Sequence, residues 1–274
     1  MLRPTALFVA PVRELVAHRQ LLFTLTARDL RVRYRQSAMG LGWAVLNPLL
    51  LMLVFTFVFA GALRPAFLRG LNVPYPLYAL AGLVPWNFFS GAVMQCANSL
   101  VANRNLVTKV ALPREVFPFT CVATALIDLG IALVVLEGVA VWFSLRGTAA
   151  VGLHAAALWL VPIIVILVCM AAGVGLLVAL ANLFYRDVRQ VLTVLLQLIM
   201  FVSAVVVPLP EGRWGAVLAW NPVALAVGAF RECLLAGRGP DWAMLAYCAA
   251  WAVVLLSVAW TVFRRSARRF AEVI

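Results

Sequence analysis

The sequence predicts an all-α integral membrane protein: six transmembrane helices, a cytoplasmic amphipathic helix ahead of the first, and two short re-entrant helices before the last. Composition is the first observation. Of 274 residues 65% are hydrophobic and 12% charged, and the mean hydropathy is +1.04. Soluble domains run at about half apolar and about a quarter charged, and disordered chains need low hydrophobicity, so both classes are excluded. The second observation is a series of apolar runs long enough to cross a bilayer. The third is a basic excess, 22 Lys and Arg against 10 Asp and Glu for a net +12, which a membrane protein collects on its cytoplasmic side.

Residues 1–40 form the cytoplasmic interface segment. The apolar stretch from Ala6 to Val12 is short, contains Pro11 and runs into Arg13 and Glu14, so it does not read as a secretory signal and the N-terminus is expected to be retained. Arg28, Arg31 and Arg35 recur at spacings of three and four, one basic stripe on a helix, while Leu15, Leu22, Leu25 and Leu30 populate other faces. Such a helix lies on a membrane surface. Two roles stay open for it: a working surface, or a flank that only orients the first span. Asp29 and Arg33, one helical turn apart, are expected to pair with each other.

Residues 41–274 form the membrane domain. Leu41 to Leu63 is 23 residues without a charge, about 35 Å as a helix. Leu77 to Val101 is also uncharged, but Asn87, Gln95 and Asn98 require a protected face. Val116 to Leu145 carries Asp128 and Glu137, and Ala155 to Ala181 is apolar with a small-residue patch at Ala171, Ala172, Gly173 and Gly175 that permits close helix approach. Val191 to Val207 is shorter and stops at Pro208; Trp242 to Phe263 closes the series.

Residues 208–240 form the re-entrant region. Trp214 to Phe230 is uncharged, but Asn221-Pro222 interrupts it, and the residue before proline is pushed away from helical angles. Charge placement supports this division. With six spans, 16 basic residues lie on the cytoplasmic side and 6 outside; a seventh span here changes that to 14 and 8. Both termini are therefore expected in the cytoplasm.

Ionisable groups inside a membrane are functional suspects. Asp128 and Glu137 stand nine residues apart, on opposite helical faces, so they do not form one paired-carboxylate site. Each either ties helices together or faces water. The other spans carry no interior ionisable residue, which leaves a proton-coupled transporter without its relay, and an integral-membrane transferase lacks a clustered acid and base. Lys109, the one lysine, follows Thr108 and belongs to no Gly-Lys-Ser/Thr phosphate loop, so the chain does not hydrolyse ATP in that manner. The five cysteines form no C-x-x-C pair, and His18 and His154 fall on opposite sides, so no metal site is expected. Trp43, Trp142, Trp242 and Trp260 read as an interfacial belt. Trp86, Phe88 and Phe89 differ, lying among amides inside a span, an arrangement that suits sugar rings or simple core packing.

The run Arg28-Asp29-Leu30-Arg31-Val32-Arg33-Tyr34-Arg35-Gln36-Ser37, leading through Leu41-Gly42-Trp43 to Asn47-Pro48, resembles the opening of the permease subunits of type-2 ATP-binding-cassette polysaccharide exporters. Further stretches follow in the same order: Gly82-Leu83-Val84-Pro85-Trp86-Asn87-Phe88-Phe89-Ser90, Asn105-Leu106-Val107-Thr108-Lys109-Val110 with Pro113-Arg114, Asn182-Leu183-Phe184-Tyr185-Arg186-Asp187-Val188, and Asn221-Pro222. The resemblance implies a transport subunit, not an enzyme, that exports a lipid-linked polysaccharide such as O-antigen, capsule or teichoic acid across the bacterial inner membrane.

It also implies a homodimer with a separate nucleotide-binding ATPase that holds ATP and Mg, this chain binding no cofactor. Arg104, Asn105, Lys109 and Arg114 then belong to the ATPase coupling loop. Arg28, Arg31 and Arg35 meet the substrate's pyrophosphate at the cytoplasmic gate, and Trp86, Phe88 and Phe89 line the glycan channel. A type-2 exporter of another lipid or a drug is the alternative. Relatives commonly carry Ser-Pro-Val-x-Tyr-Pro after the fifth span, where this chain has Ser203-Ala204-Val205-Val206-Val207-Pro208.

Overall fold

The computed structural model of the chain describes residues 17–35, 40, 42–63, 73–109, 113–147, 155–185, 187–206 and 220–267. Every regular element among them is helical. Arg3, Arg13, Arg186, the Val207-Pro208 corner, the Trp214 half of the expected re-entrant pair, Arg268 and Arg269 lie outside the described residues.

Helix α1 (Arg19–Arg35) is followed by α2 (Gly42–Phe55), which continues as π-helix over Thr56–Leu63. Next come α3 (Tyr75–Ala102), the short α4 (Arg104–Lys109) and α5 (Val116–Leu145). A tight turn at Ala155–Trp159 leads into α6 (Leu160–Phe184), then α7 (Val188–Val202). The chain closes with α8 (Pro222–Arg231), a π-turn at Glu232–Ala236, and α9 (Trp242–Ala267).

Among the described residues, five stretches are long and apolar enough to cross a membrane: Gly42–Ala60, Tyr75–Ala102, Val116–Leu145, Ala156–Phe184 and Trp242–Ser266. Hydrocarbon offers no partner to a backbone amide, so an apolar run of this length satisfies its own by becoming helical. The stretch at α7 is shorter, 15 residues. That is about 22 Å of helix against a hydrocarbon core of about 30 Å. The chain leaves α7 at Ser203, and Ala204 turns to φ 52°, the left-handed conformation that ends helices.

Helix α3 is the centre of the bundle. Its apolar window is 78% buried, against 11% for α2 and 17% for α9, so the amides on α3 have the protected surroundings their polarity requires. It packs against α5 on one side and α6 on the other, and α6 in turn contacts α9. Small residues set those distances. A Cβ on Gly175 would lie 2.7 Å from the Cys96 sulfur, and one on Gly173 would lie 3.1 Å from the Leu256 backbone nitrogen.

Two cores divide the bundle along its length. The larger fills the middle and one end, from Leu77 and Tyr78 to Val205, Val206 and Phe230. The smaller sits at the other end, where Leu25 of α1 meets Leu100, Val107, Phe117, Leu176 and Phe263. Interface helix α1 is thus anchored by its apolar side to the end of the bundle that also carries α4.

Helix α8 begins where Asn221-Pro222 predicts a break. The Asn221 side-chain oxygen accepts from the amides of Val223 at 3.0 Å and Ala224 at 3.5 Å, Pro222 occupies the first turn, and the Asn221 amide donates to the Ser203 hydroxyl at 2.9 Å. Asn221→Ala should therefore cost about 1 kcal/mol from the lost cap. Thermal unfolding in detergent reads this as a lowered midpoint, and Asn221→Asp, which keeps the accepting oxygen, should recover most of it.

Candidate functional site

Polar side chains from α1, α3 and α5 converge at the last turn of α1. Arg33 donates from Nη1 to Asp128 Oδ2 at 2.6 Å and from Nη2 to Gln95 Oε1, and the Tyr34 hydroxyl donates to Asp128 Oδ1. Burial first, and then the Asp128 carboxylate, push the Tyr34 phenol up to about 12. The hydroxyl is therefore a proton donor at any physiological pH.

The expected Asp29–Arg33 pair does not form. Asp29 accepts from its neighbour Arg28 at 2.8 Å, and Arg33 reaches across to α5. The energies explain the choice. An exposed pair one helical turn apart is worth about 0.3–0.5 kcal/mol, whereas a carboxylate within an apolar helix is costly until a cation and a donor satisfy it. Of the two readings open for Asp128, the structure selects the helix tie. Glu137 is part-buried on α5 and does not join this network.

A cavity of about 430 Å³ opens beside the network, walled by α1, α2, α3 and α5. It has three kinds of lining. Asn47, Asn87 and Gln95 supply amides, Trp43 and Phe88 supply aromatic surface, and Arg33 and Asp128 supply charge. The Asn87 Nδ2 is buried and has no hydrogen-bond partner among the described residues. Amides beside aromatic faces can hold a polyhydroxylated ring, and a guanidinium can hold a phosphate oxygen.

The residues singled out from the sequence fall in several places. Phe88 lines the cavity, while Trp86 and Phe89 are 3% and 5% exposed and touch each other within the main core, ring centroids 5.9 Å apart. Arg28 donates to Asn103 Oδ1 at 2.9 Å, tying α1 to the residue between α3 and α4, while Arg31 and Arg35 are exposed. Of the four basic residues on this part of α1, the one in the cavity is Arg33. Arg104, Asn105 and Lys109 lie on α4, and Arg114 directly precedes Glu115 and the start of α5.

Residues 20–235 match the family of ABC-2 type transporters. The chain belongs to that family. It is 32% identical over 95% of its length to the O-antigen export system permease protein RfbA of Myxococcus xanthus, covering 98% of that protein. It is 25% identical to the protein of the same name from Klebsiella pneumoniae, over 93% of this chain and 95% of the relative. The polysialic acid transport protein KpsM of Escherichia coli is 26% identical over 88% of this chain and 91% of its own length.

Two further polar nodes of this ABC-2 transporter chain bracket the cavity. At the α1 end, Arg264 of α9 donates from Nε to the buried Glu115 carboxylate at 2.7 Å, immediately after the segment that holds α4. At the opposite end, Arg231 of α8 donates to the Tyr78 hydroxyl at 2.8 Å, to Ala204 O at 3.2 Å and to Val205 O at 2.6 Å, with its guanidinium 3.9 Å from the Tyr78 ring centre.

Arg231, counted among the six outer basic residues by the six-span topology, is instead held by internal partners, and Asp128 takes Arg33 as its partner. Two signals were present. An arginine at the end of a long uncharged run requires internal partners. A lone carboxylate in a span can be met by a cation from a surface helix ahead of the spans as well as from another span.

Proposed function

We propose that this chain is the pore-forming permease subunit of an ATP-driven exporter that carries a lipid-linked polysaccharide, with O-antigen the leading substrate, across the bacterial inner membrane. The end-to-end match to an O-antigen export permease carries the reading. The amide, aromatic and guanidinium lining of the cavity supports it, because a glycan on a lipid pyrophosphate needs all three.

In this reading α7 completes a set of six spans, α8 and the segment before it form the re-entrant pair, and both termini face the cytoplasm. The chain works as a homodimer with two copies of a separate nucleotide-binding ATPase, which holds ATP and Mg. This subunit needs no cofactor. The ATPase docks on Arg104, Asn105, Lys109 and Arg114. Arg28, Arg31 and Arg35 draw the pyrophosphate to the cytoplasmic gate, Arg33 receives it within the cavity, and the glycan follows the aromatic wall at Phe88 with Trp86 and Phe89 behind it.

Two measurements test this. A strain lacking the chain should retain lipid-linked polysaccharide on the inner face and lose it from the surface; undiminished surface polysaccharide sinks the substrate assignment. In a reconstituted complex, replacing Arg104 to Lys109 with a Gly/Ser linker should abolish ATPase stimulation by the lipid-linked glycan while basal hydrolysis persists. Stimulation at the original level would overturn the docking assignment.

A further inference from the structure

We infer that Asp128 is a stand-in for the anionic headgroup: it occupies the Arg33 guanidinium in the substrate-free cavity and is displaced by a pyrophosphate oxygen, which releases the end of α1 from α5. The inference rests on the proposed substrate class and assigns the regulation of its site.

Three observations carry it. One nitrogen of the Arg33 guanidinium is already engaged by an oxyanion, Nη1 on Asp128 Oδ2 at 2.6 Å, and a donor that holds a carboxylate oxygen also holds a phosphate oxygen. Both partners stay open to the cavity, with side chains 39% and 29% exposed, so an incoming anion reaches Arg33 without unfolding anything. Finally, the bonds from Arg33 and Tyr34 to Asp128 join α1 to α5, so what exchanges at Arg33 is also what fastens the helix. The apolar anchor at Leu25 lies two turns back along α1 and is untouched by the exchange. The last turn of α1 can therefore loosen while the helix stays attached.

The contact is exchangeable because it is partly solvated: with its side chain 29% exposed at the cavity, Asp128 is rehydrated when Arg33 leaves it, and a pyrophosphate brings more negative charge and more acceptor oxygens to the same donor. Tyr34 remains a donor throughout and can follow either oxyanion. Gln95 holds the other guanidinium nitrogen from α3, which keeps Arg33 aimed into the cavity after Asp128 lets go.

The test uses the full chain in phosphatidylcholine nanodiscs with farnesyl pyrophosphate as the probe. Asp128→Asn should tighten binding about tenfold and Arg33→Gln should weaken it about tenfold, each the scale of one charge-assisted contact. The double variant should match Arg33→Gln alone, since there is no competition once the contested cation is gone. Hydrogen exchange over residues 28–35 should rise on adding the probe to the wild type, and should already be high in Asp128→Asn without it.

Three results overturn the inference. If Asp128→Asn loosens α1 without tightening binding, the carboxylate is a structural tie only. If Arg33→Gln binds the probe like the wild type, the headgroup lies elsewhere, which sinks the site and leaves the export reading to be judged by surface polysaccharide. If phosphatidylglycerol nanodiscs abolish probe binding, Arg33 takes bulk lipid headgroups. Should Asp128→Asn fail to fold, Asp128→Ser, which keeps a hydroxyl acceptor for Tyr34, takes its place.

Discussion

Gly82→Ala should remove most folded protein from the membrane. A Cβ at Gly82 would stand 2.1 Å from the Val205 carbonyl oxygen and 2.2 Å from Arg231 Nη2. Both distances are far inside van der Waals contact, and the two obstacles differ in kind. The guanidinium ends a flexible side chain, but it is fixed by the Tyr78 hydroxyl and by the carbonyls of Ala204 and Val205. The carbonyl belongs to a backbone already turned to φ 52° at Ala204.

Accommodating one methyl therefore means moving the corner after α7 away from α3, which breaks the bonds that Arg231 makes there. Overpacking alone costs about 1–3 kcal/mol, and stranding a charged donor adds to it. The expected result is loss of monodisperse protein in detergent, or a strongly lowered unfolding midpoint where any survives. Shortening Arg231 should not rescue the variant, because the Val205 carbonyl still blocks the Cβ. A Gly82→Ala protein as stable as the parent would mean that α3 and the α7 corner are not in this contact.

The close contact at Gly82 shows where sequence reasoning reaches its limit. The class of fold was legible, because a long uncharged run has one way to satisfy its backbone in hydrocarbon and the runs in this chain are long. The break at Asn221-Pro222 was legible too, since Asn is a helix cap and Pro fits the first turn. Arg33 meeting Asp128 was not, because the partners are 95 positions apart and a nearer acid, Asp29, offered itself. Only the packing of α1 on α5 decides between them. The run at α7 was legible as a short one, but the point where the helix ends, Val202, was not, for a related reason. Its apolar run continues to Val207, but the backbone turns away at Ala204, and nothing in the residue types between them marks that turn.

The aromatic cluster divides on the same physics. Phe88 and Trp86 are neighbours but not on one face of a helix, so a wall lined by Phe88 turns Trp86 elsewhere. Trp86, Phe88 and Phe89 all belong to the main core, and of the three it is Phe88 that also lines the cavity. For Gln95 and Asn87 the sequence argument was stronger, because amides in a span demand a protected place, and the cavity beside α3 provides it.

Charge reversal at Glu115 should uncouple the two halves of the cycle. Glu115 is 7% exposed and accepts from Arg264 Nε at 2.7 Å, so the start of α5 is fastened to the last turns of α9. The segment carrying α4 ends at that fastening point. If the partner ATPase docks on α4 as proposed, its push is passed into α5, and through Asp128 to the cavity, only when α5 has a fixed end to pivot on. Glu115→Arg puts a second guanidinium against Arg264 and leaves no acid in its place. Removing one member of a buried pair costs about 3–5 kcal/mol, less here because the arginine is partly solvated. Substrate-stimulated ATPase in the reconstituted complex should fall to the basal rate. The double variant Glu115→Arg with Arg264→Glu restores the pair in reverse and should recover stimulation, and an equal loss in the single and double variants would mean that α5 is not held through this contact.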